Sequence, residues 1–283
     1  MTLNLPAGIG IGWRPEISGV VAELSGLGFC EVIAETVPAL DDPHSWLPDL
    51  MALNVPIIPH GVGLSLGGAE PVTAQQISVL TRCAETLNAP LVSEHIAFVR
   101  AGGVEAGHLL PVPRSREALD ALTDNIRRTQ DCLPVPLAVE NIASLFEWPD
   151  DEYTDAEFLA ELVERTGVYL LIDVANVYAC AANRGSDPSS DLARLPLERI
   201  AYCHVAGGES DGELYHDTHT APVPDDVLAL VTQLAATGRT GAFLLERDGH
   251  YPPATELVDE LHAIADAAGI DRPRWNHPWE CAS

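Results

Sequence analysis

Positive charge is scarce in this chain: 15 lysines and arginines face 42 aspartates and glutamates over 283 residues, a formal net charge of -27. A phosphate backbone would meet repulsion here instead of releasing counterions, so no nucleic-acid partner is expected. Long hydrophobic runs are missing too. No apolar stretch approaches the roughly 18 residues of a membrane span, and the segment from Met1 to Gly12 has no basic region leading into an apolar one. These absences predict a soluble, cytoplasmic protein with no membrane partner. The six cysteines, Cys30, Cys83, Cys132, Cys180, Cys203 and Cys281, lie scattered without a CxxC spacing. That suits buried thiols in a reducing cytosol and argues against both a disulfide framework and a zinc–thiolate cluster. Neither a dinucleotide fingerprint nor a phosphate-binding P-loop occurs, which counts against a Rossmann fold.

What is present is a repeated pattern. Short apolar runs of strand length recur about every 30 residues, each followed by a helical stretch, the count of a closed (β/α)8 barrel. The first run is Gly8-Ile-Gly-Ile-Gly-Trp13, and Phe29-Cys-Glu-Val-Ile-Ala34 follows, ending at Glu35. Between them, Pro15 opens a helix in which Ile17, Val20, Val21, Leu24 and Leu27 recur at helical spacing, with Gly28 as its C-terminal cap. Capping boxes at Thr73/Gln76 and Thr154/Glu157 announce two more helices. A Gly-rich excursion, Ala101 to His108, interrupts the path after the fourth run and is a candidate lid. The segment after Asn176 reads as irregular through Asn183 to Pro188. A single α/β domain, a TIM barrel spanning 1–270 with a tail at 271–283, is the predicted architecture; Trp275 and Trp279 in that tail are either a packed cap or a pocket wall.

Several of these runs stop on an ionisable residue. His60 ends the third, Glu94 and His95 the fourth, Glu140 and Asn141 the fifth, Asp173 the sixth, His204 the seventh and Glu246 the eighth. In a parallel barrel the strand C-termini converge on one mouth, where such enzymes keep their chemistry. A lone histidine at a strand end is more often a hydrogen-bonded core residue than a ligand. Carboxylates packed together repel one another, however, and several sharing one mouth need cations between them. The converging donors number nine: His60, His95, Glu140, Asp173, Asn176, His204, Asp217, His219 and Glu246. Nitrogen and oxygen donors without thiolate point to iron, manganese or zinc, and so many donors point to more than one ion. Glu140, on a central strand, is best placed to bridge two.

In order along the chain, His60-Gly-Val-Gly-Leu-Ser65, Ser93-Glu-His95, Glu140-Asn141, Asp173-Val-Ala-Asn176, His204-Val-Ala-Gly207, Asp217-Thr-His219 and Glu246-Arg-Asp248 resemble a known motif series. It is that of the multinuclear non-heme iron-dependent oxidative enzymes, the MNIO family, which includes the oxidases of methanobactin and thiaglutamate biosynthesis. The resemblance runs from about Gly8 to Ile264. It implies two or three iron ions in mixed Fe(II)/Fe(III) states, with dioxygen as co-substrate. His60, His95 and Glu140 would hold one iron; Glu140, Asp173, His204 and Glu246 the second; Asp217 and His219, with Asn176 beside them, a labile third. Glu140, Asp173 and His204 would be the catalytic core. The implied substrate is a ribosomally synthesised precursor peptide, modified at a cysteine, and a leader-peptide-binding partner protein is expected.

Ala175 stands where the family often has asparagine and Arg247 where it often has tryptophan, departures that touch the substrate and the outcome more than metal binding. Arg14, Glu35, Asn141, Arg247 and His250 are the substrate-binding candidates, although a mouth salt bridge explains Arg14 and Glu35 equally well and His250 also reads as a solvated loop histidine. Two other readings stay open. A xylose isomerase-like isomerase or hydrolase would use the same donors around divalent metals as Lewis acids without redox change. A scaffold that presents a peptide to another enzyme would hold them as structural ions.

Overall fold

In the computed structural model, which describes residues 5–38, 42 and 45–276, the apolar runs close into one parallel barrel of eight strands. They are β1 (Gly8–Gly12), β2 (Phe29–Ile33), β3 (Ile57–Gly61), β4 (Val92–His95), β5 (Leu137–Glu140), β6 (Tyr169–Asp173), β7 (Ile200–Val205) and β8 (Ala242–Leu245). Each hydrogen-bonds to its neighbours in chain order, and β8 closes on β1 with Gly8 opposite Ala242. Residues of a strand alternate between its two faces. The outward set packs under the helices as the larger core, while Phe29, Ile58, Leu91, Ala138, Leu171, Tyr202 and Leu244 fill the barrel interior. Two residues further along from most of these stand the ionisable groups, so they inherit the inward direction and form the next layer up.

β1 shows why its sequence is glycine-rich. A Cβ built on Gly10 would sit 2.7 Å from the ring of Phe29, so glycine leaves room for the largest interior side chain. Helices are set by their ends. Thr73 and Thr154 form the expected capping boxes for Ala74–Leu87 and Asp155–Thr166, and Gly167 closes the latter in the left-handed conformation at φ 65°. The helix Arg116–Cys132 starts from a Ser115 cap, and the helix Asp225–Ala236 buries Val227, Leu230, Val231 and Leu234.

Two readings are corrected, the first helix with its cap and the irregular segment after Asn176. The first helix ends at Ala22, because Leu24–Ser25 leave it to pair antiparallel with Arg274–Trp275. Gly28 is accordingly no cap; its role is close approach, since a Cβ there would lie 1.9 Å from the Ala7 carbonyl oxygen. The segment after Asp173 is a regular helix, Val174–Arg184, followed by Pro188–Arg194. The 101–108 excursion belongs to an antiparallel hairpin, Ala97–Ala101 with Val104–Pro111. A second hairpin, Gly207–Ser210 with Tyr215–Ala221, rises from the end of β7. Trp275 pairs with Leu24 and its indole donates to Glu23 at 3.1 Å, whereas Trp279 and Cys281 lie outside the described residues. Among the described residues no helix is long and apolar enough to cross a membrane.

Candidate metal centre

Strand register places the donors side by side. His95 stands opposite Glu140 across β4 and β5, and His204 opposite Asp173 across β7 and β6. Glu140 lies at the middle: its Oε2 is 3.3 Å from Nε2 of both His60 and His95, and its Oε1 is 3.2 Å from Nδ1 of His204. The same His204 nitrogen is 2.9 Å from Glu246 Oε2. Asp217 and His219 come from the second hairpin, not from a barrel strand, and His219 Nε2 is 2.8 Å from Asp217 Oδ2 and 3.8 Å from Asp173 Oδ2. Donor atoms within 4.8 Å of one another form the groups His60/His95/Glu140, Glu140/Asp173/His204/Glu246 and Asp173/Asp217/His219. Asp173 therefore joins the outer pair as well as the inner four. Asp248 adds a further grouping with His219 and Glu246 that sequence reasoning left out.

The surroundings aim these side chains. His95 Nδ1–H donates to the Gly61 carbonyl at 3.1 Å, leaving Nε2 for the mouth. Glu94 accepts from the His95 and Leu64 amides, both at 2.9 Å, and Glu35 accepts from the Val62 amide at 3.0 Å, so two carboxylates pin the loop after β3. Asp173 caps the helix Val174–Arg184: Oδ1 accepts from the Asn176 amide at 2.8 Å and Oδ2 is left over. Asn141 holds the same strand end, accepting from the Asp173 amide at 3.0 Å and donating to its carbonyl at 3.1 Å. Asn176 donates to the Asn141 carbonyl at 3.0 Å, and its Oδ1, buried without a hydrogen-bond partner, is left as a candidate donor. Glu31, Ser93 and Tyr202, buried beneath the mouth, were missed. The signal was available in Glu31, a charge in the middle of an otherwise apolar β2.

A cation fits this arrangement. Glu140 Oε2, Asp173 Oδ2, Asn176 Oδ1 and Asp217 Oδ1 are buried without a hydrogen-bond partner, a combination that buried polar atoms rarely tolerate. Burial, and then the neighbouring Asp217 carboxylate, push Asp173 up to about 8. Burial also raises Glu140, but His204, His95 and His60 outweigh it and bring the carboxyl down to about 2. For His95 burial works downwards, and Glu140 followed by Glu94 reverses it to about 9.

A pH dependence follows for the metal-free protein. Asp173, ordinarily near 3.8, holds its proton to about 8 when folded, and His95, ordinarily near 6.5, holds its own to about 9. Both groups bind protons more tightly in the folded chain, so what they contribute is lost as pH rises through those folded values. With chelator present, the midpoint of denaturant unfolding should fall between pH 6 and pH 9. Metal should oppose the trend, since cations displace the same protons. A chelated protein equally stable at both pH values would contradict this electrostatic account.

The outer candidates divide. Arg14 forms the salt bridge, its Nε and Nη2 lying 3.0 and 2.7 Å from Asp248 Oδ1 and Nη2 3.5 Å from Glu246. His250 is solvent-exposed. Arg247 does not line the mouth as expected: it is 3% exposed, with Nη2 3.6 Å from Glu260 of the helix Ala254–Ala268. The strand alternation that points Glu246 inward turns its neighbour outward beneath that helix.

A closed parallel barrel carrying histidines and carboxylates at its C-terminal mouth defines the class as a TIM barrel with a candidate metal centre. The model of the RiPP precursor modification enzymes MbnB/TglH/ChrH, which act on ribosomally synthesised and post-translationally modified peptides, matches residues 8–269, and the chain belongs to that family. It is 52% identical over 265 residues to a UPF0276 protein of Streptomyces avermitilis, covering 91% of this chain and 54% of the relative. The chain thus spans about half the length of that relative. A UPF0276 protein of Caulobacter vibrioides is 36% identical over 279 residues, 97% of this chain and 96% of the relative. Among solved structures, endonuclease IV from Thermus thermophilus superposes with a TM-score of 0.61 at 17% identity, covering 93% of this chain and 99% of that one. A D-tagatose 3-epimerase-like protein gives 0.60 at 14%, covering 93% and 98%. At such identities the likeness is one of fold alone, the xylose isomerase-like TIM barrel.

Proposed function

We propose that this chain is a multinuclear non-heme iron oxidase that uses dioxygen to modify a cysteine of a ribosomally synthesised precursor peptide, with the leader held by a partner protein. The observation that carries the reading is the sharing of donors. Glu140 and Asp173 each belong to two groups, so ions bound there would be immediate neighbours rather than isolated Lewis acids. In the loaded enzyme, iron would activate dioxygen and relay to it the electrons that the oxidised cysteine gives up. The chain's own residues hold and orient: His60, His95 and Glu140 one position, Asp173, His204 and Glu246 the next, Asp217 and His219 the outermost. A cavity of about 350 Å³ adjoins the centre at Asn141 and Asn176. Ile96, Val112, Trp148 and Phe158 give it apolar wall while Arg114, Glu147, Asp151, Asp155 and Arg184 line the rest, a mixed surface that suits a peptide segment.

The test is metal content together with Mössbauer and electron paramagnetic resonance spectra of anaerobically purified protein, before and after dioxygen. More than one iron per chain with a mixed-valence signal is the expected result. Zinc or magnesium alone, retained through reconstitution with ferrous iron and without oxygen consumption, would replace this reading by the isomerase or hydrolase one.

A further inference from the structure

Beneath the ligand layer, Glu31 of β2, Ser93 of β4 and Tyr202 of β7 are each 0% exposed in the barrel interior. Burying a carboxylate and two hydroxyls where leucine or phenylalanine would pack costs stability unless the groups satisfy one another. They do so at Glu31 Oε2, while Glu31 Oε1 is buried without a hydrogen-bond partner, and the chain of contacts continues into two histidines. His60 Nδ1 is 2.8 Å from Ser93 Oγ, Ser93 Oγ is 2.7 Å from the Tyr202 hydroxyl, and that hydroxyl is 2.5 Å from Glu31 Oε2. From the other side His204 Nε2 lies 2.9 Å from the same Glu31 oxygen.

Counting protons fixes the direction of every bond. The carboxylate can only accept, so both the Tyr202 hydroxyl and His204 Nε2–H donate to it. Tyr202 has no second proton, so Ser93 must donate to the tyrosine oxygen. The serine proton is then committed, and Ser93 Oγ must accept from His60 Nδ1–H. Every proton points towards Glu31. This network thereby fixes which nitrogen of each ring is the outer one: His60 Nε2, 3.3 Å from Glu140 Oε2, and His204 Nδ1, 3.2 Å from Glu140 Oε1 and 2.9 Å from Glu246 Oε2, where a cation would take the place of any ring proton.

We propose that Glu31, Tyr202 and Ser93 are a buried brace through which one carboxylate sets the ring tautomers of ligand histidines in two neighbouring metal positions. The inference rests on the reading of the mouth as a metal centre. All three are positioning residues; none touches the reacting atoms. The brace accounts for the placement of Tyr202, which bonds to neither ligand yet links them. It also predicts action at a distance: cutting the chain at Tyr202 frees the Ser93 hydroxyl to turn and donate to His60 Nδ1, favouring the ring form whose Nε2–H blocks the ion. His204 keeps its direct bond to Glu31. His95, held by the Gly61 carbonyl, is an internal control.

Cobalt(II) is the probe, titrated into the metal-free full chain against a competing chelator, with proton spectra recorded on the loaded protein. Ring N–H protons of cobalt-bound histidines are shifted far from other signals and report each ligand separately. In Tyr202→Phe, cobalt at the His60 position should bind roughly tenfold to a hundredfold more weakly. The His60 N–H signal should move and exchange faster with solvent while the His95 signal stays. Ser93→Ala should reproduce this, and Ser93→Thr, which keeps the hydroxyl, should restore it. Wild-type affinity and an unmoved His60 signal in both Tyr202→Phe and Ser93→Ala would overturn the brace. A wild-type chain that takes up no cobalt would instead overturn the metal reading, and the brace with it.

Discussion

Replacing Glu140 with alanine should release more than one equivalent of metal from the chain. Its two oxygens face different histidines, Oε2 towards His60 and His95 and Oε1 towards His204, and it belongs to two of the donor groups. Losing it leaves the first group with two imidazoles and no charge, and removes one of the two carboxylates that face His204 Nδ1. Affinity at both positions should drop at least about a hundredfold, beyond what loss of an outer-shell partner costs. Stability should fall as well, because three buried imidazoles lose the carboxylate they face, a loss on the order of 1–3 kcal/mol. Glu140→Gln separates the effects, keeping shape while removing the charge. Elemental analysis of both variants reconstituted with ferrous iron checks the claim. A Glu140→Ala protein that loses a single equivalent or none would remove the bridging role.

Much of this centre was legible in the sequence, because a barrel converts strand ends into a shared site. His60, His95, Glu140, Asp173, His204 and Glu246 were readable as apolar runs that stop on a donor, and register did the rest. The helices were legible where a specific side chain caps their start, as at Thr73 and Thr154. The first helix was not, since Leu24 carries a helical spacing but is drawn off by pairing with residues near the far end of the chain, Ser25 with Arg274 and Leu24 with Trp275. Glu31 was passed over for a similar reason. Its strand was read for where it ended, at Glu35, whereas the informative carboxylate lies one layer deeper. Arg247 was misplaced because adjacency in sequence to Glu246 suggests adjacency at the mouth, and strand alternation dictates the reverse. Asp248, two residues on from Glu246, returns to the site and donates its backbone N–H to the His219 carbonyl at 2.9 Å.

Substituting Asp173 by asparagine should stabilise the metal-free protein at alkaline pH while weakening the second metal position and abolishing the outermost one. The two effects have one cause. Oδ1 caps a helix and asparagine can cap equally well, so the local fold survives. The other atom, Oδ2, is buried with no hydrogen-bond partner, within reach of His219 and beside Asp217. Without metal that oxygen carries a charge the site resists, which is why burial and Asp217 push the group up to about 8. At pH 9 the wild-type chain must ionise it regardless, and each unit of displacement is worth about 1.4 kcal/mol. Asparagine never ionises, so the variant should be more stable than wild type at pH 9 by a few kcal/mol, on the order expected from such a displacement. At pH 5, where Asp173 keeps its proton in the folded chain, the two should differ little. Metal reverses the ranking: wild type gains stability from cations that its carboxylate helps to hold, and the variant gains less. Unfolding curves at pH 5 and 9, each with chelator and with ferrous iron under nitrogen, make the comparison directly. A variant less stable than wild type at pH 9 without metal would show that Asp173 serves the fold first, and that its strain is not held in place for a cation.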